Sequence, residues 1–273
     1  MKIFSDSDFK HNFHTHTFRC KHAKGDVADY CAKAIELGME TLGMSDHSAL
    51  PDNRWQHVRM PYAQLDDYAD AIDQARIDYP QLDIRKGMEC EYVPKLHSFY
   101  VDELLGERQF DYLIGAAHFF TDTNGNWSGT YGGTNSPKAL ADFARYTVKM
   151  IETGLFDFIA HPDLFGNCYP NWDADAAACS RDIAAAAAEF GVGLEINALG
   201  LRKQAHKKNH PFPLYPWEPF WDVVAEAGAP VLINSDAHRP EDLQGRAGAA
   251  MNLAASKGLK PMGPGLIGQR QVG

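Results

Sequence analysis

Short apolar runs alternate with amphipathic helical stretches along the whole chain, and this alternation limits the possible folds more than any other feature. Strands are predicted near "NFHTH", "ETLGMSDH", "DIRKGMECEY", "FDYLIGAAH", "FDFIAHP", "VGLEINA" and "APVLINSDAH". Between them lie stretches of helical period: "DVADYCAKAIELGM" closes at Gly38, "YAQLDDYADAIDQARIDYP" at Pro80, "SPKALADFARYTVKMIETG" at Gly154 and "DADAAACSRDIAAAAAEFG" at Gly191. "PWEPFWDVVAEAGAP" and "RPEDLQGRAGAAMNLAASKG" complete the series. Strands that alternate with helices run parallel, in a sheet that the helices cover. About seven such units, with no linker and no shift of composition, predict one α/β domain over 1–273 whose sheet curves into a (β/α) barrel slightly short of eight units. The alanine run 184–188 reads as a helix face made for close packing. Two stretches carry neither period, "TDTNGNWSGTYGGTN" (121–135) and "GLRKQAHKKNHPFPLYP" (200–216). Both follow strands, so both are expected as irregular loops at the C-terminal ends of the strands, the functional face of a barrel.

The strand ends are polar in a repeated way. His14 and His16 are two residues apart, so on a strand both side chains point to one face. Glu89 and Glu91 repeat that spacing, as do Glu195 and Asn197, and Asn234, Asp236 and His238. His47, His118 and His161 each end an apolar run. A single strand-end histidine is ordinarily a cap or a core residue. Histidines and carboxylates at nearly every strand end make sense when those ends converge. Imidazoles with carboxylates are the ligand set of Zn, Mn or Fe, and a carboxylate can bridge two ions.

Charge bounds the partners. The formal net charge is −10 and the pI is about 5.6, which argues against nucleic acid, whose phosphates need a positive field. Bound cations would reverse that sign locally and suit a small anionic substrate. The five cysteines are scattered without C-x-x-C spacing, as in a reducing compartment. "MKIFSDSDFK" has no apolar core and no run approaches a membrane span, so neither signal peptide nor membrane contact is expected and the cytoplasm is the expected location.

In this order "FHTHT", "CKH", "SDH", "KGMECEY", "GAAHFF", "AHPDLF" and "NSDAHRPED" resemble the motifs of the PHP (polymerase and histidinol phosphatase) family, over residues 11 to 243. "EINALGLRK" further resembles its histidinol-phosphatase branch. The resemblance implies a distorted (β/α)7 barrel with three divalent metal ions at the C-terminal ends of the strands. It implies that His14, His16, Glu89 and Asp236 hold the first ion. Glu89 would also bridge to the second, with His118 and His161, and His22, His47 and His238 would hold the third. L-histidinol phosphate is the substrate that the resemblance alone implies.

Other residues have readings that rest on their own chemistry. Glu91 shares the inward parity of Glu89, so it is either an alternative ligand or a substrate contact, for instance to an amine; the family's G-x-E pattern favours Glu89 as the ligand. Asp46 is a partner that orients an imidazole or a turn residue. Asp163, just past His161, is a candidate catalytic group. Arg202, in a basic stretch with Lys203, Lys207 and Lys208, offers a fork for phosphate, and Arg19 is a second candidate. His11, His57, His97, His206 and His210 match no motif and are expected at the surface. Together these features predict a metal-dependent phosphoric monoester hydrolase acting on a small phosphorylated metabolite. A phosphodiesterase or nucleotide phosphatase of the same family is the near alternative. An amidohydrolase-type barrel would leave His22, His47 and His238 without use, and a non-catalytic metal-binding module would leave the phosphate pocket without use.

Overall fold

The structure, a computed structural model, describes residues 3–207 and 210–269; Lys208 of the basic stretch lies outside the described residues. Its strands are β1 (His11–Asn12), β2 (Thr41–Met44), β3 (Asp83–Cys90), β4 (Tyr112–Gly115), β5 (Phe119–Thr121), β6 (Trp127–Gly129), β7 (Phe158–Ile159), β8 (Gly193–Asn197) and β9 (Val231–Asn234). Its α-helices are α1 (Val27–Glu36), α2 (Leu65–Asp78), the single kinked turn α3 (Thr130–Gly133), α4 (Pro137–Glu152), α5 (Ala174–Phe190), α6 (Ala198–His206), α7 (Glu218–Ala227) and α8 (Ala247–Ser256). A π-helix, Phe99–Glu107, stands between β3 and β4.

Seven strands form one sheet in the order β1-β2-β3-β4-β7-β8-β9, and every neighbouring pair is parallel. Beyond β1 and β9 the chain closes this sheet into a barrel. The His16 amide donates to the Ala237 carbonyl (2.9 Å) and the Ala237 amide to the His14 carbonyl (3.3 Å). Lower on the seam, side chains replace the ladder. Asn234 Oδ1 accepts from the Phe13 amide and Asn12 Oδ1 from the Ser235 amide, both at 2.8 Å. Both asparagines are fully buried, where unpaired backbone donors would be costly. The protein is thus a distorted (β/α)7 barrel, as expected. The "NFHTH" strand ends earlier than its pattern suggests, at Asn12, because the chain beyond it turns into the seam.

Inside the barrel a small apolar core holds Phe13, Tyr112, Ile114, Phe158, Leu232 and Ile267. Tyr112 crosses the interior and donates its hydroxyl to the Phe13 carbonyl at 2.7 Å. A Cβ on Gly43 would lie 2.2 Å from that hydroxyl oxygen, and one on Gly87 would lie 2.2 Å from Cζ of the same ring. These two glycines leave the room that the tyrosine fills. The larger core lies between the sheet and the outer helices. Local signals start the helices. Asp26 and Asp29 form a capping box on α1, Ser136 Oγ accepts from the Ala139 amide on α4, and Asp173 accepts from the Asp175 and Ala176 amides on α5. The alanine-rich α5 packs between α4 and α7.

Two expectations about irregular segments are corrected. Residues 119–129 contain the antiparallel hairpin β5–β6, with Phe119 opposite Gly129. The start of 200–216 is helical: α6 is capped by Asn197 Oδ1, which accepts from the Gly200 amide at 3.1 Å. Leu201, Arg202, Lys203, Gln204 and Ala205 are good helix formers, but a half-buried helix that ends in polar side chains leaves no apolar period to read. Among the described residues no helix is long and apolar enough to cross a membrane.

Candidate metal centre

The polar strand ends converge at the C-terminal mouth of the barrel. Three overlapping triads have their ligand atoms within 4.8 Å of one another: His14, His16 and Glu89; His47, Glu89 and His118; and His22, His47 and His238. In the first, His14 Nε2 lies 3.1 Å from His16 Nε2 and 3.4 Å from Glu89 Oε1, and Asp236 Oδ1 approaches His16 Nε2 to 3.1 Å. In the second, Glu89 is central: His47 Nδ1 lies 2.7 Å from Oε2, and His161 Nε2 and His118 Nε2 lie 3.2 and 3.7 Å from Oε1. His47 thus stands between the second and third groups. A fourth grouping, His16, Cys20 and His238, brings in the buried thiol of the "CKH" motif. His161 and Asp236 both have positive φ, +31° and +48°, a conformation that costs energy for a residue with a Cβ and is held by the surrounding structure.

The donor chemistry fits divalent cations. Two imidazole Nε2 atoms 3.1 Å apart converge with two carboxylates, the kind of donor set that holds such an ion. Glu89 Oε2 and Asp236 Oδ1 are buried carboxylate oxygens without a hydrogen bond of acceptable geometry. A buried charge without compensation is expensive, and an ion satisfies both the lone pairs and the charge. Burial alone would raise the carboxyl of Glu89, but His118, His14 and His47 outweigh it and hold the group well below the usual carboxylate range. Burial opposes ionisation of Asp236 in the same way, and His14, His16 and His238 again win. Burial, with neighbouring positive charge, lowers His47, His118 and His238, and His22 to about 4, which leaves neutral imidazoles of the kind metals bind. Burial also acts on His14 and His16, but the carboxylates overcome it. His14 is raised by Glu195, Asp236 and Glu89, and His16 rises to about 9 through Asp236 and Asp46. The field that binds a proton there is the field that would bind a cation, and the two compete for one lone pair.

Carboxylates behind the triads fix the rings. Glu195 Oε1 accepts from His14 Nδ1 at 2.8 Å, and the same carboxylate takes the His161 amide and the Asn197 and Asn234 side chains. Such a contact orients the ring and raises its basicity. Glu195 carried the strand-end spacing in the sequence, and only the fold shows that it supports His14. Asp46 combines both roles considered for it. It accepts from the Thr17 and His47 amides and the Thr17 hydroxyl, and its Oδ1 faces His16 Nδ1 at 3.5 Å.

A cavity of about 500 Å³ opens above this cluster. Besides metal-site residues it is lined by His57, Arg59, Phe119, Tyr131, Leu199 and Lys203. Lys203 donates to Tyr215 Oη at 2.8 Å and lies over the Tyr131 and Tyr215 rings. His57 is exposed, as expected, and stands at the rim of the cavity. His11 is half-buried at the other end of β1, with Nδ1 3.0 Å from Thr41 Oγ1.

The four remaining sequence candidates lie outside the cavity lining. Arg202 donates to backbone carbonyls, those of Gly245 (2.8 Å), Ser235 (2.9 Å) and Asp236 (3.1 Å), and so braces the turn that presents Asp236. Basic spacing in a sequence does not reveal such contacts. Arg19 is buried and paired with Asp26 and Asp67, off the cavity. Glu91 is not free to meet an amine: it is buried against Arg59 and accepts from His118 Nδ1 at 2.9 Å. Asp163 accepts from the Trp217 amide (2.6 Å) and Trp221 Nε1 (3.0 Å), and burial raises its carboxyl to about 7. It pins the start of α7 beneath the site. Arg59 was missed, since it sits in the loop after His47 without a motif around it.

Fold and site together define a (β/α)7 barrel with a clustered His/carboxylate centre at its mouth. The family model described as "PHP domain" matches residues 12–199, well over half of the chain, and the chain belongs to that family. Asp236 and His238 lie beyond the matched segment. A "Probable histidinol-phosphatase" of Deinococcus radiodurans is 31% identical over 248 residues, which cover 84% of this chain and 86% of that protein. One of the same name from Schizosaccharomyces pombe is 21% identical, over 84% of this chain and 81% of that protein. The solved structure of histidinol phosphate phosphatase from Lactococcus lactis subsp. lactis, complexed with zinc, L-histidinol and phosphate, is similar in fold. Its TM-score is 0.68 at 16% identity, over 93% of this chain and 95% of that chain.

Proposed function

We propose that this protein is a metal-dependent phosphoric monoester hydrolase that releases phosphate from a small metabolite, and that L-histidinol phosphate is its substrate. The observation that carries the reading is the set of three triads sharing Glu89 and His47, directly beneath a cavity with cations, Arg59 and Lys203, on its walls. In this reading His14, His16, Glu89 and Asp236 hold one ion, Glu89, His118 and His161 a second, and His22, His47 and His238 a third, with zinc, manganese or iron as the metal. Bound there, such ions lower the pKa of water and neutralise charge on phosphoryl oxygens.

The chain's own residues do the rest. Glu195 and Glu91 fix the rings of His14 and His118 by accepting from their Nδ1 atoms, so that each Nε2 faces the site. Arg202 holds the Asp236 turn. The apolar part of the lining, Phe119 and Leu199 among it, limits the water around the ester. The cavity has the size of a small-molecule site. Histidinol phosphate is favoured by the names of the relatives from Deinococcus radiodurans and Schizosaccharomyces pombe. The test is phosphate release from a panel holding histidinol phosphate, nucleoside monophosphates, a phosphodiester and an aryl phosphate, with zinc, manganese or iron supplied. A clear preference in kcat/KM for histidinol phosphate is expected. Hydrolysis without that preference would leave only the generic phosphoesterase, and no phosphate release from any ester with any metal would overturn the reading.

A further inference from the structure

We infer that Arg59 is the residue that grips the phosphoryl group in this site, and that Glu91 positions it; the inference rests on the reading that the site takes a phosphate ester. Arg59 is a cation in the cavity lining, yet it is buried to within 3% and its guanidinium is held from behind. Glu91, itself 1% exposed, takes Nη2 on Oε1 and Nε on Oε2, the second at 3.4 Å. The Val58 carbonyl takes Nη1 at 2.8 Å. Guanidinium has five N–H donors, so three are used and two remain, on Nη1 and Nη2.

The neighbouring histidine agrees with this count. Oε1 of Glu91 also faces His118 Nδ1 at 2.9 Å, while His118 Nε2 points toward Glu89. A metal on Nε2 requires the proton on Nδ1, and that proton goes to Glu91. The 3.2 Å approach of Arg59 Nη2 to His118 Nδ1 is then a contact of two donors, and the second Nη2 proton stays available. One carboxylate therefore sets both a metal-ligating ring and a planar donor fork beside it. Two free N–H groups on a fixed plane suit two phosphate oxygens, and the fork loses little freedom when it binds. The other cations offer less. Lys203 is a point charge on a flexible stem, and Arg202 does not line the cavity.

The experiment uses metal-loaded full chain: wild type, Arg59→Ala, Arg59→Lys, Glu91→Gln and the Arg59→Ala/Glu91→Gln double variant. Binding of inorganic phosphate is measured by calorimetry with metal in excess, and metal content by elemental analysis. Arg59→Ala is expected to weaken phosphate binding by about tenfold or more with metal content unchanged, since a hydrogen-bonded charge is lost. On whichever ester is turned over, KM should rise more than kcat falls, and free guanidinium ion should restore part of the loss. Glu91→Gln should weaken phosphate binding too, but only while Arg59 is present: adding it to Arg59→Ala should change the affinity by less than about twofold. A folded Arg59→Ala with wild-type phosphate affinity would overturn the inference, as would effects that simply multiply in the double variant. Should Arg59→Ala fail to fold, Arg59→Lys decides: weaker phosphate binding supports the fork and wild-type binding rejects it. Phosphate binding lost with Arg59, in a protein that cleaves no ester, would keep this inference and sink the phosphoesterase reading.

Discussion

The two ends of the barrel interior are built from the same strands and obey opposite rules. At the lower end Phe13, Tyr112, Ile114 and Phe158 fill the space with apolar volume, and the Tyr112 hydroxyl has the Phe13 carbonyl as partner. A few residues further along, the interior is His14, His16, Glu89, His161 and Asp236, with carboxylate oxygens lacking partners and two backbones at positive φ. The lower end is complete as folded. The upper end is complete only with cations in it. Stability should therefore respond to changes below and activity to changes above, and the following substitutions test whether that division is real.

The largest effect belongs to Glu89→Gln, which removes charge from the point that two of the three triads share. Activity should fall by about a thousandfold, with metal content reduced, because an amide neither carries the charge nor bridges. If Glu91→Gln strips the metal instead, the two carboxylates have been assigned the wrong way round. Phe158→Ala strikes the other end. It should cost about 3–5 kcal/mol in denaturant unfolding while the folded fraction keeps its full metal content; a parallel loss of metal would dissolve the distinction between the two ends. Arg202→Ala lies at the seam. It loosens the turn of Asp236 without touching a ligand atom, so activity should drop by about 10- to 100-fold and recover in excess metal. A rise in KM that metal cannot reverse would restore Arg202 to the phosphate. The smallest effect is Gly43→Ala, which pushes a Cβ into Tyr112 and should destabilise by about 1–3 kcal/mol with kcat per folded molecule unchanged.

The same division explains what could be read from the amino-acid sequence. Strand ends carry short-range signals: the spacing of His14 and His16, the repeat at Glu89, and the polar stop after each apolar run all sit within one element. These were legible, as was the seven-unit alternation behind the barrel. Other features depend on contacts between distant segments. Arg59 meets Glu91 across 32 positions, and Glu195 meets His14 across 181. Gly43 and Gly87 are explained only by a tyrosine from a third strand. Arg202 shows the same limit: a basic residue after a strand end reads as an anion site, and its three carbonyl partners, which hold the chain itself, appear only in the fold. The hairpin β5–β6 escaped notice because strands of three residues carry too little alternation to register.

In the proposed function the mouth of this barrel is a metal site whose chemistry depends on the metals. The most direct measurement is a metal titration of chelator-stripped protein, following phosphate release, circular dichroism and bound metal together. The stripped protein should stay folded and inactive. Activity should appear as divalent ions bind, with about three per chain at saturation and about two in His22→Ala. A folded, metal-free protein that still released phosphate at the full rate would contradict the account.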